Sequence, residues 1–115
     1  MDSKNKFQTK DSGKRQEFDS GMRRDTQDNK PRYDLIYRPM LTRWAELMGR
    51  GAEKYGENNW CKANSEEELK RFKSSAFRHF IQWTNNETDE DHASAVLFNI
   101  AAVEYMKHKL ETGVE

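Results

Sequence analysis

The sequence has a single cysteine, only two prolines and no long run of apolar residues. Cys61 therefore has no partner for an intrachain disulfide, and it lacks the second cysteine of a CxxC zinc motif. No stretch approaches the ~18–20 consecutive apolar residues that a membrane-spanning helix needs, and the first residues lack the apolar core of a secretory signal. These absences predict a protein of the reducing cytoplasm.

A surplus of charge of one sign is also missing. Lysine and arginine number 20, aspartate and glutamate number 20, and the formal net charge is zero. Because proteins that bind nucleic acid usually carry a basic surplus, this balance disfavours nucleic acid as a partner. Hydrophobic residues make up 34% of the 115 residues, which is low for the single small domain that this length predicts.

The hydrophobic residues are distributed unevenly along the chain. Residues 1–30 contain only Met1, Phe7, Phe18 and Met22 from the hydrophobic set, and all the others lie in residues 31–115. A segment this polar cannot bury enough apolar surface to offset the entropy lost on folding. The pattern therefore predicts a polar N-terminal arm followed by a compact body.

Apolar residues of the body recur at helical spacing in three segments. One helix is predicted over about residues 40–54, ending at Gly56, and a second over about 66–84, where Ser65 and Glu68 form a capping box. A third is predicted to begin at an Asp89 N-cap and to run to about Glu111. No stretch alternates with the period of a strand, so no sheet is expected and the predicted fold class is all-α.

The third predicted helix is apolar around most of its circumference between Ala93 and Tyr105. A helix that is apolar on all sides is usually buried on all sides, and a body of this size cannot bury it alone. We therefore expect a small helical bundle that is completed by oligomerisation.

Three polar residues share helix faces with apolar ones. They are His79 on the second predicted helix and His92 and Asn99 on the third. A buried polar side chain must be hydrogen-bonded within the protein or must bind something else. Both a structural and a ligand-binding role fit this pattern, and the sequence leaves both open.

Carboxylates are concentrated in two places. Glu46 and Glu53 share a face of the first predicted helix, and Glu87, Asp89, Glu90 and Asp91 surround the start of the third. Acidic residues at a helix N-terminus also interact favourably with the helix dipole, so the second group has an ordinary structural explanation. Its functional explanation is a magnesium site, because hard divalent cations prefer several carboxylate oxygens.

Four segments resemble, in order and in spacing, the motifs of a known family. They are Phe18-Asp19-Ser20-Gly21 with Arg24-Asp25-Thr26 and Lys30-Pro31-Arg32-Tyr33-Asp34-Leu35-Ile36; Arg50-Gly51-Ala52-Glu53-Lys54-Tyr55-Gly56 with Asn59-Trp60; Ser75-Ala76-Phe77-Arg78-His79; and Asp89-Glu90-Asp91-His92 with Ala95 and Asn99. Over about residues 18–107 the chain resembles the phage dATP/dGTP diphosphohydrolase family. Members of that family are similar to the MazG-like all-α nucleotide pyrophosphohydrolases.

The resemblance implies a MazG-like bundle that assembles as a homodimer or homotetramer. It implies hydrolysis of a purine (deoxy)nucleoside triphosphate, dATP or dGTP, to the monophosphate and pyrophosphate with Mg²⁺ or Mn²⁺, in the host cytoplasm if a phage encodes the protein. It also implies that residues 18–38 form an arm that packs on the body or on a neighbouring subunit. This arm would lie between a disordered polar tail at 1–17 and a helical nucleotide-binding domain at 39–115.

The interpretation as an enzyme assigns roles to individual residues. Glu46, Asp91 and His92 would hold the metal ion, whereas Glu53, Glu90 and His79 would be catalytic. The nucleotide would contact Arg50, Lys54, Tyr55, Asn59, Trp60, Arg78 and Asn99 of the body and Arg24 and Arg32 of the arm.

The sequence departs from the broader MazG-like superfamily at its ExxE and ExxD carboxylate pairs. Glu46 is followed three positions later by Gly49, and Glu90 by Ala93, so the two-pair metal cage does not carry over. Two alternatives to an enzyme stay open. One is a nucleotide-binding protein without turnover, such as a phage protein that counters host defence by sequestering a signalling nucleotide. The other is a helical interaction module whose polar core residues are purely structural.

Overall fold

The structure of the protein, a computed structural model, describes residues 8–26 and 29–113. The chain divides into two compact units, Met1–Ile36 and Tyr37–Glu115. Residues 1–7, the first part of the predicted disordered tail, lie outside the described residues.

The first unit contains a short antiparallel hairpin. Strand β1, Arg15–Glu17, pairs with strand β2, Arg23–Asp25. The register places Arg15 opposite Asp25 and Glu17 opposite Arg23, and opposite charges directly across from one another favour strand pairing. Ser12 donates to the Asp25 carboxylate through both its amide and its hydroxyl, which closes the open end of the hairpin. A single 3-10 turn follows at Tyr33–Leu35.

The hairpin shows that the expectation of no strand is wrong for this segment. Strand prediction depends on alternating apolar residues, but both strands are polar and nearly every residue in them is exposed. Their pairing depends instead on cross-strand charges and on the turn, where the Phe18 amide donates to the Met22 carbonyl at 2.8 Å. The hairpin also crosses the predicted boundary between tail and arm at residues 17 and 18. The packing of the arm on the body or on a neighbour stays a prediction.

The second unit is helical, as predicted. It contains helix α1 at Arg38–Tyr55, helix α2 at Glu66–Thr84 and helix α3 at His92–Thr112. Helix α1 begins with a proline in its first turn, where the missing amide costs no hydrogen bond. It ends at Gly56, whose φ of +99° is accessible to glycine at little cost.

The predicted N-cap residue is correct for α2 and wrong for α3. Ser65 caps α2 as expected: its hydroxyl accepts from the Glu68 amide at 3.2 Å and donates to the Glu68 carboxylate at 2.7 Å. The prediction that Asp89 caps α3 is wrong, because the cap is Asp91, which accepts from the Ser94 amide at 3.2 Å. The Asp89 carboxylate is engaged elsewhere, by the ring of His92.

The core of the second unit lies between α2 and α3. It is formed by Ala63, Leu69, Val103 and Met106, with Phe72 and Tyr105 packed against them. Trp60, in a 3-10 turn at Asn59–Lys62, packs edge-on against Phe98 and Tyr105. In contrast, α1 contributes no fully buried side chain. The α2–α3 pair is therefore the packed framework of this unit.

Helix α3 buries one side and leaves apolar residues of another side in contact with solvent. Ile100 is 50% exposed, and Phe80 and Ile81 on the facing side of α2 are 47% and 44% exposed. These three residues contribute to a groove of about 570 Å³ between the two helices. None of the helices described by the structure is long and apolar enough to cross a membrane.

Candidate functional site

A tight connection between α2 and α3 brings the acidic segment of residues 87–91 next to two buried histidines. Helix α2 ends at Asn85, whose amide donates to the Ile81 carbonyl at 3.0 Å. Asn86 then adopts a left-handed conformation with a φ of +59°, which asparagine tolerates better than most residues. The chain reverses within this segment, so α3 starts beside the last turns of α2.

His79 of α2 and His92 of α3 contact each other in the interior. Their Nδ1 atoms are 2.9 Å apart, and the side chains are buried, with His92 only 2% exposed. The other ring nitrogen of His92, Nε2, lies 2.7 Å from an Asp89 carboxylate oxygen. Asp89, His92 and His79 therefore form a continuous hydrogen-bonded chain from the loop to the middle of α2.

The environment of this chain favours a charged Asp89 carboxylate and a neutral His79 ring. The hydrogen bond from His92 holds the pKa of the Asp89 carboxyl below its usual value. Burial lowers the pKa of His79, and the nearby Arg78 charge lowers it further. An ionised carboxylate can only accept, so His92 donates to Asp89 through Nε2–H.

The same segment contains a group of side chains that can hold a metal ion. One ligand atom from each of Glu87, Asp89 and His92 lies within 4.8 Å of the other two. Gln82 of α2 donates to the Glu87 carboxylate at 3.4 Å, which links the group to the preceding helix. Two carboxylates and one imidazole thus converge over the start of α3.

Glu87 and His92 of this group line a cleft of about 420 Å³. The cleft is lined by Arg43, Trp83, Asn86, Glu87, Thr88, Glu90, Asp91, His92 and Ala93. Its volume lies within the range of about 300–1,000 Å³ that is usual for small-molecule sites. Trp83 is 52% exposed and offers an aromatic face at the wall of the cleft.

Arg43 of α1 forms a two-pronged ion pair with Asp91 in the same cleft. Its Nε and one terminal nitrogen lie 2.8 Å and 2.6 Å from the two carboxylate oxygens. The guanidinium holds the pKa of the Asp91 carboxyl well below its usual range, and the carboxylate in turn raises the pKa of Arg43. Asp91 therefore connects α1 to the N-terminus of α3 and caps that helix at the same time.

The structure brings together only some of the residues predicted to hold metal or to be catalytic. Glu90, Asp91 and His92 line the cleft, and His79 contacts His92 from behind. Glu46 and Glu53 lie exposed on α1, although the Glu46 charge acts on Arg43. Asp91 is not part of the group that converges as possible ligands, and both of its oxygens accept from Arg43.

The residues of the body that were predicted to bind the nucleotide do not line this cleft. Arg50, Lys54, Tyr55 and Asn59 are exposed on α1 and in the loop after it, and Arg24 and Arg32 belong to the first unit. Lys54 Nζ lies 5.2 Å from the centre of the Tyr55 ring, and Arg32 is bound to Asp34 at 2.9 Å and 2.8 Å.

Trp60, Arg78 and Asn99 also have structural contacts of their own. Trp60 packs in the core, and its buried indole nitrogen has no partner among the described residues. Arg78 donates to Gln82 at 3.3 Å, and buried Asn99 donates to the Ala95 carbonyl at 2.8 Å. None of these three lines the cleft.

Sequence reasoning missed three participants: Arg43, Glu87 and Asp89. The last two were recognised as acidic neighbours of the third helix but were not assigned as ligands. Asp89 precedes His92 by three positions, a spacing that could have singled it out. Arg43 is 48 residues from Asp91 in the sequence, and no local pattern indicates that the two meet.

Comparison with known proteins gives one match. Residues 20–113, most of the chain, match the family described as dATP/dGTP diphosphohydrolase, N-terminal. No curated protein and no solved structure matches the chain.

Proposed function

Because the chain belongs to the dATP/dGTP diphosphohydrolase N-terminal family, we propose that it hydrolyses a purine deoxynucleoside triphosphate, dATP or dGTP, to the monophosphate and pyrophosphate. The observation that carries the proposal is the convergence of Glu87, Asp89 and His92, of which Glu87 and His92 line a cleft of ligand size. The reaction would use a divalent cation held by these three side chains.

The donor set fits a divalent cation of the Mg²⁺ or Mn²⁺ type. The three ligand atoms lie within 4.8 Å of one another. The 2.7 Å contact between His92 Nε2 and the Asp89 oxygen is the hydrogen bond that a cation on Nε2 would replace. Carboxylates suit Mg²⁺ and Mn²⁺, and an imidazole ligand is more readily accepted by Mn²⁺ than by Mg²⁺.

A bound cation would neutralise triphosphate charge and polarise a phosphoryl oxygen. Glu87 and Asp89 would supply carboxylate donors to the cation, and buried His92 would supply the third donor. Glu90, which lines the cleft and is exposed, would accept the proton of the attacking water. Trp83 would stack on the purine, since every nucleobase offers a π-face to an aromatic ring.

A homo-oligomer is part of the proposal. The groove between α2 and α3 exposes Phe77, Phe80, Ile81 and Ile100 together, and a contiguous apolar patch on a small protein usually marks an interface. A second copy of the same surface would cover it, because an apolar patch on one subunit is self-complementary in an isologous dimer. The protein would then bury α3 on the side that one chain leaves exposed.

The proposal is tested by incubating the protein with each deoxynucleoside triphosphate and Mg²⁺ or Mn²⁺ and separating the products by ion exchange. We expect monophosphate and pyrophosphate from dATP or dGTP. Glu87→Gln, Asp89→Asn and His92→Gln should each lower the rate at least about tenfold, as is usual when a ligand of a catalytic metal is lost. Glu111→Gln, which neutralises an exposed carboxylate at the far end of α3, is the matched control.

Other outcomes would assign the site differently. Equal rates in the three cluster variants and in wild-type protein would place the metal elsewhere, and Glu46→Gln and Glu53→Gln would then be the next variants to compare. Release of inorganic phosphate in place of pyrophosphate would contradict the proposed bond cleavage.

Nucleotide binding without turnover is the second candidate function. The specific observation in its favour is that Asp91, a predicted metal ligand, has both carboxylate oxygens bound to Arg43. Recovery of bound but unchanged nucleotide in the same incubation would support this candidate over hydrolysis.

A further inference from the structure

The two histidines share a bond that can hold only one proton. Their Nδ1 atoms are 2.9 Å apart, so one must carry the hydrogen and the other must accept it. In the free protein His92 donates to the Asp89 carboxylate through Nε2–H. When both rings are neutral, His92 Nδ1 is then the acceptor. His79 must therefore carry its hydrogen on Nδ1 and leave its Nε2 unprotonated.

A cation on His92 would reverse this arrangement. A metal takes the lone pair of Nε2, so a neutral His92 would have to carry its hydrogen on Nδ1 and donate it to His79. We propose that occupancy of the Glu87–Asp89–His92 site sets the tautomer of His79: its Nε2 accepts hydrogen bonds in the free protein and donates them in the loaded protein. This inference rests on the proposed cation site and concerns its coupling to α2.

The change conserves protons. Each ring carries one hydrogen before and after, and no charge is gained or lost on either ring. His92 Nε2 loses one hydrogen to solvent, and His79 Nε2 gains one from solvent. The hydrogen shared by the two rings moves from His79 Nδ1 to His92 Nδ1. Because both rings are buried, they cannot rotate freely, and the tautomer of His79 therefore has to follow that of His92.

The surroundings of His79 give the change a consequence. The only hydrogen bond of its ring within the described residues is the one from Nδ1 to His92. The hydrogen-bonding role of Nε2 is therefore set by the tautomer: this nitrogen accepts in the free protein and donates in the loaded protein.

Nuclear magnetic resonance of ¹⁵N-histidine-labelled protein tests the inference without measuring activity. Long-range proton–nitrogen correlations report which nitrogen of each ring is protonated, and zinc chloride is a suitable diamagnetic probe that binds imidazole well. At about pH 8.5, above the usual histidine pKa of about 6.5, we expect His79 to be the Nδ1–H tautomer. Addition of zinc should shift His92 Nε2 and convert His79 to the Nε2–H tautomer.

His108, exposed on α3 and outside the proposed site, is the internal control, and its ratio of the two tautomers should not change when one equivalent of zinc is added. In His92→Phe protein, zinc should no longer change the tautomer of His79. If that variant does not fold, the wild-type measurement stands alone.

Two results would overturn the inference. The first is a shift of His92 Nε2 on zinc addition while His79 stays Nδ1–H, which would mean that the rings are not coupled. The second is the absence of any response at His92, which would mean that no cation reaches the pair. Hydrolysis is assayed separately, so the tautomer change and the proposed reaction can fail independently.

Discussion

The Asp91 side chain joins helix α1 to the start of helix α3. Its carboxylate accepts two hydrogen bonds from Arg43 and one from the Ser94 amide. Charge-assisted bonds to an arginine fork are stronger than neutral ones, but the Arg43 side chain is 45% exposed, and water weakens the attraction. We expect the pair to contribute on the order of 1 kcal/mol to stability.

The sign of its pH dependence follows from the lowered pKa of Asp91. Because the folded pKa lies below the unfolded value of about 3.9, the stabilisation is complete above about pH 5 and is lost as the pH falls towards the folded value. Asp91→Asn should therefore lower the free energy of unfolding by about 1 kcal/mol at pH 7. The difference from wild-type protein should shrink between pH 5 and pH 3, as measured by urea unfolding.

Asp34→Asn is the control for this prediction. Asp34 forms a similar two-pronged pair with Arg32, but these residues are neighbours in the sequence, so the pair can persist in the unfolded chain and should contribute little. A deficit of Asp91→Asn that stays constant from pH 7 to pH 3 would show that the variant damages the helix cap and not the ion pair.

At the scale of the element, α2 is defined by its own termini. Ser65 and Glu68 satisfy each other and the Asn64 amide, and the first turn carries three glutamates that interact favourably with the helix dipole. Helix α1 is the opposite case, because it buries no side chain fully and its ion pair with Asp91 is a contact to a distant segment.

The capping box gives a prediction about α2. Ser65→Ala removes the acceptor of the Glu68 amide, and the loss of an N-cap side chain typically costs about 1 kcal/mol. We expect a lower melting temperature in a calorimetric scan. Ser74→Ala, an exposed position inside the same helix, should be neutral or slightly stabilising, because alanine is the better helix former. An equal loss in both variants would contradict a capping role.

The exposed apolar groove between α2 and α3 predicts that the protein self-associates. Light scattering at micromolar concentration should give at least twice the chain mass of 13.6 kDa. Ile100→Lys should shift the protein towards the monomer, because it would place a charge in the buried interface. Leu110→Lys, at an exposed leucine of the same helix outside the groove, should not.

A folded wild-type monomer at these concentrations would contradict the proposed assembly. If Leu110→Lys dissociated the protein and Ile100→Lys did not, the interface would lie at the end of α3 and the groove would be free for another ligand.

Much of the helical body could be predicted from local sequence. Helix α2 was predicted over about 66–84 and found at Glu66–Thr84, because its capping box and its Asn85-Asn86 end are signals between neighbouring residues. The inward positions of His79, His92 and Asn99 were likewise predicted from their spacing with apolar residues, and all three are buried.

Local sequence is enough to predict the helical class, the family and the polar residues of the core, since each depends on residues close together in the chain. The residue that caps α3 and the nitrogens through which the two histidines meet are known only from the packing of the helices. The cap of α3 is Asp91, not Asp89, and Asp91 also binds Arg43 of a helix that is distant in the sequence. The hydrogen bond between His79 and His92 joins residues 13 positions apart. Such contacts depend on how helices are placed against each other, and the hydrophobic periodicity that places them says nothing about which polar atoms will come within bonding distance.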